Sequence, residues 1–345
     1  LLIKCNIGSV STEALPKFLS TIPKNGNEMK SYFFLLILFF IHPLYAQEAY
    51  QAESKRVDSL FTAWAKSNSP GASVGIYKDG QLIYAQGYGM SNLEYDIPIK
   101  PGTIFHVASI SKQFTNFAVL LLEEEGKLSI EDDIRKYMPE IPDFGKTITI
   151  RQLMHHTSGY REQWQLLAIA GWRLDDVITK DQIMRLIEGQ RELNFEPGSQ
   201  YRYSNSGYSI LARLVERVSG KSFRQFAQER IFKPLDMQHT HVHDDHEMIV
   251  PGRAYSYRPD GIAYKKSVLS YANDGATSLF TTVEDMGKWM RNMLHPTLCE
   301  SFIEKMRTKG KLNNGDEINY GLGQSVNEYK GLKWAGHGGA DAGFR

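Results

Sequence analysis

The apolar positions change period along the chain. Val57, Leu60, Phe61 and Trp64 recur at helical spacing and predict a short amphipathic helix. Pro70-Gly71 then opens two apolar runs, ASVGIYK and QLIYAQGYG, separated by Asp79-Gly80. A two-residue Asp-Gly link suits the twist of paired strands, so a β-hairpin is predicted here. From Ile104 to about Val268 the helical period dominates, broken by Gly126, Pro139, Gly159, Gly171, Pro197-Gly198, Gly220 and Pro234, and the middle of the chain is expected to be mostly α. A further helix follows Thr282, which stands three residues before Asp285 as a cap, and YGLGQSV and LKWAGHGG flank NEYKG as strands. Strands at both ends with helices between predict an α+β fold. Its antiparallel sheet would be built from about 55–105 and 270–345 and flanked by helices, with a large helical insertion over about 106–268. Chemistry is expected in the cleft between the two parts.

Composition narrows the partners. The chain has 345 residues, 42% of them hydrophobic, enough for one large core or two interlocked ones. Lys plus Arg (40) against Asp plus Glu (39) leaves a formal charge of +1, so there is no basic field for nucleic acid or an anionic membrane. A small molecule or short peptide is the expected substrate, and no cofactor is implied. From Met29 the sequence reads MKSYFFLLILFFIHPLYAQE: one Lys, an apolar run from Tyr32 to Ile41, then Ala46. That is the pattern of a secretory signal peptide over 29–46, its run about half the ~20 residues of a membrane span. Export to the periplasm or beyond is expected, with a mature chain of 47–345 and no stable membrane span after cleavage. Residues 1–28, upstream of that Met, read as a non-native extension. Cleavage would separate Cys5 from Cys299, so no internal disulfide is expected.

Three segments carry candidate chemistry. In FHVASISKQFTNFAVLLLEEEG, Phe114, Phe117, Ala118, Leu121 and Leu122 follow a buried helical pattern ended by Gly126, which places Ser109 and Lys112 in the first turn, three residues apart. Burial there disfavours a charged Lys and makes a neutral amine available as base for the Ser, while free N–H groups of the turn can polarise a carbonyl. In FEPGSQYRYSNSGYSILARLVERVSG, Tyr203-Ser204-Asn205 leads into a helix marked by Leu211, Leu214, Val215 and Val218. Residues two apart in an extended stretch face one way, so Tyr203 can relay a proton and Asn205 can hold a substrate amide in one cleft. In WAGHGGADAG, glycines inside a strand point to a close approach of ligand or backbone, with Gly338 and Gly339 letting a substrate pair along the edge. Each segment alone has a bland reading: a capped helix with a solvated Lys, a core Tyr beside a capping Asn, a flexible turn.

Taken together and in this order, the three segments resemble the serine β-lactamase and penicillin-binding protein superfamily, and Tyr-x-Asn as the middle motif points to its class C β-lactamase branch. The likeness continues in LMHHTSGY (153–160), IFKPLDMQHT (231–240) and the YGLG of 320–323. The resemblance implies a β-lactamase/transpeptidase-like fold and an acyl-enzyme hydrolase of esters or amides. Ser109 would be acylated, with Lys112 and Tyr203 sharing general-base and general-acid work and Asn205 orienting the substrate. The oxyanion hole would use backbone N–H groups of Ser109 and Ala340, and His337, Gly338 and Gly339 would form the strand edge across the cleft. A catalytically weak penicillin- or peptidoglycan-binding module is the alternative, and a peptidoglycan-derived peptide is a possible ligand of either.

Two departures matter. His337-Gly338-Gly339 stands where many β-lactamases have Lys-Thr-Gly, replacing a permanent cation by a group largely neutral at pH 7, so esters and small amides are expected to outrank carboxylate-bearing penicillins. The chain also stops six residues after Gly339, which reads as a C-terminal truncation that leaves a sheet edge unpaired. The run HTHVHDDHE gathers His239, His241, His243, Asp244, Asp245 and His246, but it meets none of the usual zinc spacings and reads as a solvated loop, so no metal is expected. His155-His156 is expected to be structural.

Overall fold

The computed structural model describes residues 53–345; the expected extension (1–28) and signal peptide (29–46) lie outside the described residues. The chain divides into two compact units at Lys66. The first carries helix α1 (residues 53–60), which holds the start of the amphipathic pattern. Ser67–Arg345 forms the second.

The second unit opens with β1 (Ala72–Lys78) and β2 (Gln81–Tyr88), paired antiparallel across Asp79-Gly80. Both turn residues take positive φ, 50° and 74°, as this tight turn requires. A short ladder of β3 (Met90–Asn92) and β4 (Ile97–Pro98) follows, then β5 (Phe105–His106) and a single 3-10 turn, Ala108–Ile110, that runs into α2 (Ser111–Glu124). Every residue of α2 from Ser111 to Leu122 is buried, so this is a central helix with no solvent face. Phe114 and Phe117 meet Trp289 at 4.4 and 5.3 Å between ring centroids, and Phe117 also meets Phe302 at 5.3 Å. Buried polar groups of α2 bond to its neighbours: Asn116 donates to the Tyr208 hydroxyl at 2.8 Å, Thr115 to Gly275 O at 2.7 Å, and Gln113 accepts from the Trp289 indole at 2.9 Å, while Asn116 Oδ1 is left without a partner among the described residues.

Next in the chain come α3 (Ile150–Met154), α4 (Gln163–Ile169), β6 (Ile178–Thr179), α5 (Lys180–Glu188), α6 (Asn205–Ser219) and α7 (Phe223–Ala227); α6 and α7 pack on α2, and α3, α4 and α5 pack on α6. Capping boxes built on Thr149, Thr179 and Ser222 start α3, α5 and α7, and Gly220, at φ 71°, ends α6. The remaining elements are β7 (His241–Val242), β8 (Ser256–Asp260), β9 (Ala263–Ser267), β10 (Tyr271–Ala272), β11 (Leu279–Thr281), α8 (Val283–Leu294), α9 (Glu300–Arg307), β12 (Ser325–Tyr329) and β13 (Leu332–Gly336). Thr282 caps α8 as expected, accepting from Asp285 N at 3.1 Å.

The α+β class holds, with two differences inside it. The helical part ends in a π turn at Phe232, not near Val268: β7 follows, and β8 and β9 form a hairpin turning on Gly261-Ile262. That hairpin is exposed on nearly every residue, so it carries no apolar-polar alternation to betray it. The expected single antiparallel sheet is instead a set of ladders. β1–β2 and β12–β13 are separate two-stranded pairs, β5, β11 and β7 form a three-stranded antiparallel sheet, and β6 pairs in parallel with β10. What anchors the first hairpin is a helix: the Tyr77 hydroxyl donates to Val283 O at 2.9 Å, the first residue of α8.

Because Phe117 is fully buried between two rings, Phe117→Ala leaves a cavity next to the central helix. It is expected to lower unfolding free energy by about 3–5 kcal/mol, read from urea melts.

Candidate active site

Ser109 sits in the 3-10 turn just before α2, and the turn is strained to hold it. Ala108 has φ +46°, a left-handed value unusual for a residue with a Cβ. Ser111 locks the turn: its hydroxyl donates to Ala108 O at 2.5 Å and accepts from Leu279 N at 3.0 Å. One residue into α2, Lys112 is completely buried. Its Nζ donates to Ser109 Oγ at 3.0 Å, Asn205 Oδ1 at 2.7 Å and Ala276 O at 2.6 Å, using all three ammonium protons. Burial pushes Lys112 down to about 7, against the opposing pull of Asp341 and Glu162. A large share of it is therefore free amine near neutral pH, with a lone pair beside Ser109.

Tyr203 and Asn205 come from the extended lead-in to α6 and its first residue. The Tyr203 hydroxyl bonds the Ser109 side chain, and burial raises its pKa well above the ordinary tyrosine value, so it stays a phenol. Its ring lies 5.0 Å from Lys112 Nζ and packs, tilted, on His156 at 4.2 Å between centroids. His156 is itself buried, accepts from Ser204 N at 3.1 Å, and has its pKa held far down by burial. It is a neutral support under Tyr203. Asn205 is committed at both ends of its amide: Oδ1 accepts from Lys112, and Nδ2 donates to Glu162 Oε1 at 2.7 Å.

Gly338, Gly339 and Ala340 are placed differently from the expected strand edge. β13 ends at Gly336, and the His337-Gly338-Gly339 run lies beyond it. The reason is contact with the nucleophile turn: a Cβ at Gly339 would lie 2.3 Å from Val107 O and 3.2 Å from Ala108 Cβ. The loop leaves the ladder to press on the backbone that carries Ser109. His337 faces the Tyr320 hydroxyl through Nε2 at 3.0 Å, and burial lowers it to about 4, so it brings no cation at pH 7.

These parts share one cleft of ≈ 680 Å³, lined by Ser109, Tyr203, Asn205, His337, Gly338, Gly339 and Ala340, with Lys112 beneath its floor. All eight residues singled out in the sequence are thus brought together. The arrangement offers a hydroxyl nucleophile, an amine that can take its proton and a phenol that can give one up, with Ser109 and Ala340 lining the same space. A family model described as "Beta-lactamase" matches residues 57–345.

The chain belongs to the Beta-lactamase family. Relatives within reach of this Beta-lactamase family chain include a D-aminopeptidase of Gluconobacter oxydans, 27% identical over 85% of this chain, and penicillin-binding protein 4* of Bacillus subtilis, 28% identical over 79% of it. The chain spans 55% and 63% of those proteins' own lengths. Among solved structures it is similar to an octameric penicillin-binding protein homologue from Pyrococcus abyssi, with TM-score 0.66 and 27% identity over 78% of this chain and 64% of that one. A D-amino acid amidase from Ochrobactrum anthropi shares the fold at TM-score 0.62 and 22% identity, covering 76% of each chain.

Within this Beta-lactamase family site, two acidic residues were not singled out from the sequence. Glu162 caps α4, accepting from Trp164 N at 2.7 Å and Gln165 N at 3.1 Å, and reaches Asn205 with its other oxygen. An acid directly ahead of the apolar stretch QWQLLAI was the available signal. Asp341 lines the cleft next to Ala340. The His run differs from the solvated loop expected: His241, in β7, and His243 pack on Phe280 at 5.4 and 4.5 Å between centroids, and burial lowers both to about 4. Among the described residues no group of three or more His, Cys, Asp and Glu is placed to hold a metal ion, and no helix is long and apolar enough to cross a membrane.

The close approach at Gly339 makes a direct test. Gly339→Ala is expected to push the loop off Val107 and to lower turnover of any substrate at least about tenfold, with a melting shift of only a few degrees.

Proposed function

We propose that the protein is a serine hydrolase of the class C β-lactamase-like type that cleaves an ester or amide through an acyl-enzyme on Ser109. The observation that carries this reading is the 3.0 Å contact between Ser109 Oγ and a lysine whose pKa is lowered to about 7. Free-amine Lys112 takes the Ser109 proton as Oγ attacks the substrate carbonyl. The negative charge that develops on the carbonyl oxygen is met by the N–H groups of Ser109 and Ala340, a type of contact worth about 10²–10³ in rate per donor. Tyr203, held as a phenol, gives its proton to the leaving group and recovers one from Lys112. Water then attacks the acyl-enzyme by the reverse proton path.

Neutral His337 supports esters and small amides over penicillins, because it offers no charge to a substrate carboxylate. The similarity to D-aminopeptidases points the same way. Similarity to penicillin-binding proteins favours a second reading, a catalytically weak module that captures penicillin or peptidoglycan and releases it slowly. Turnover separates the two. The signal-peptide pattern of 29–46 supports an exported enzyme, and an exported chain beginning anywhere before Gln47 contradicts that part of the proposal.

The test is intact-protein mass after incubation with a p-nitrophenyl ester and, separately, a penicillin. One acyl group per chain is expected with the ester, and none in Ser109→Ala; an adduct retained in Ser109→Ala, or no reaction of the folded chain, overturns the reading. For the ester, kcat/KM should rise with pH through about 7 as Lys112 loses its proton. It should then stay level past the ordinary tyrosine range of about 10, because burial raises the Tyr203 pKa above it.

A further inference from the structure

The Ser109 cleft has an acidic side. Two carboxylates act on the charge of Lys112, Asp341 more strongly than Glu162. Glu162 is spent within the protein: Oε1 accepts from Asn205 N and Nδ2, and Oε2 accepts from the two amides that open α4. Asp341 also has partners within the protein, but unlike Glu162 it is open to the cleft. It lines the cleft two residues past Gly339, its side chain keeps 15% of its surface open, and it is held in place from behind. The Thr277 hydroxyl donates to Oδ2 at 2.8 Å, and the fully buried ring of His106 stands 3.4 Å from the same oxygen through Nε2. Tyr271, which also lines the cleft, bonds Asp341 too.

Of the basic groups near this charge, the His106 ring stands behind the carboxylate, Arg345 shares the cleft, and Lys112 and His337 are weakened by burial. Burial brings Lys112 to about 7 and His337 to about 4, so at neutral pH the first is partly and the second almost wholly uncharged. Arg345 lines the same cleft, but it is exposed and its guanidinium donates to its own neighbour Phe344 O at 2.7 Å. A carboxylate fixed in a part-enclosed cleft attracts an ammonium group and repels a second carboxylate far more than it would in open water.

We propose that Asp341 is the specificity-determining residue of the site, holding the free ammonium group of an amino-acyl ester or amide and turning away substrates with a carboxylate at that end. The proposal rests on the acyl-enzyme reading above and adds its substrate class. Position 341 lies immediately after Ala340, whose N–H faces the reacting carbonyl in that reading, so an ammonium group one or two bonds from the carbonyl carbon falls within reach of the Asp341 carboxylate. Asp341 takes no part in bond making; it selects.

The experiment compares kcat/KM for D-alanine p-nitroanilide, its neutral N-acetyl form and its N-succinyl form, which carries a carboxylate, in wild type, Asp341→Asn and Asp341→Glu. In Asp341→Asn the ratio of the free-amine to the N-acetyl substrate should fall about tenfold or more, and the N-succinyl to N-acetyl ratio should rise; Asp341→Glu should keep most of the wild-type ratio. An equal loss on all three substrates marks a structural role, and an unchanged ratio marks no role; either overturns the proposal. Should Asp341→Asn fail to fold, calorimetric binding of D-alaninamide and of its hydroxyl counterpart D-lactamide to wild type decides. Binding about tenfold tighter for the amine is expected, and equal binding overturns the proposal. Tighter amine binding by a folded chain that forms no acyl-enzyme would sink the hydrolase reading while leaving the charge selection standing.

Discussion

The groups around the cleft are arranged about one expensive act, the complete burial of Lys112. A lysine in the second residue of a helix with no solvent face loses most of its hydration, and the protein returns only three acceptors: a serine hydroxyl, an asparagine oxygen and the Ala276 carbonyl. The balance falls short of what water gave, which is why the ammonium form is held only up to about 7. Asp341 and Glu162 keep it from falling further. The same desolvation that destabilises the charged lysine makes it a base at neutral pH, so the cost in stability and the capacity for chemistry are one quantity.

The surroundings follow from that constraint. Asn205 must present its oxygen to Lys112, and Glu162 fixes the amide by taking its nitrogen, so a helix cap 43 residues away in sequence sets the orientation of the group beside the base. Backbone has to come close on other sides as well. A Cβ at Gly323 would stand 2.6 Å from Lys112 O, and one at Gly339 would stand 2.3 Å from Val107 O, so these two glycines let loops from the end of the chain close over the turn from different directions. Ala108, with no such freedom, carries its positive φ under the lock of Ser111. Rings complete the wall: His156 supports Tyr203 from behind, and Tyr320 stands against His156 and faces His337.

Much of this was legible in the sequence because it is local. The Asp79-Gly80 hairpin, the apolar helix after Ser109 and the Thr282 cap each need only a few neighbouring residues to declare themselves, and the structure has all three. The three motifs, far apart in the chain, were assembled by their likeness to a family and not by their spacing. What stayed hidden depends on long-range pairing. The β8–β9 hairpin buries only Ser256 and so has no apolar period, and the separate ladders at the two ends of the unit look, residue by residue, like strands of one sheet. Glu162 and Asp341 were not singled out, because their meaning lies in the Asn205 amide and in the Thr277 and His106 side chains, which the fold places beside them.

Lys112, lowered to about 7, is close to half free amine at neutral pH, and its titration can be followed directly. The Lys112 side chain would be followed by NMR with ¹³C at Cε across pH 5 to 11, its resonance assigned by its loss in Lys112→Met. A single transition is expected near 7, the value to which burial lowers the group. A transition near the ordinary lysine value of about 10.4 would contradict it, leaving Lys112 a fixed cation at neutral pH and the Ser109 proton without its base.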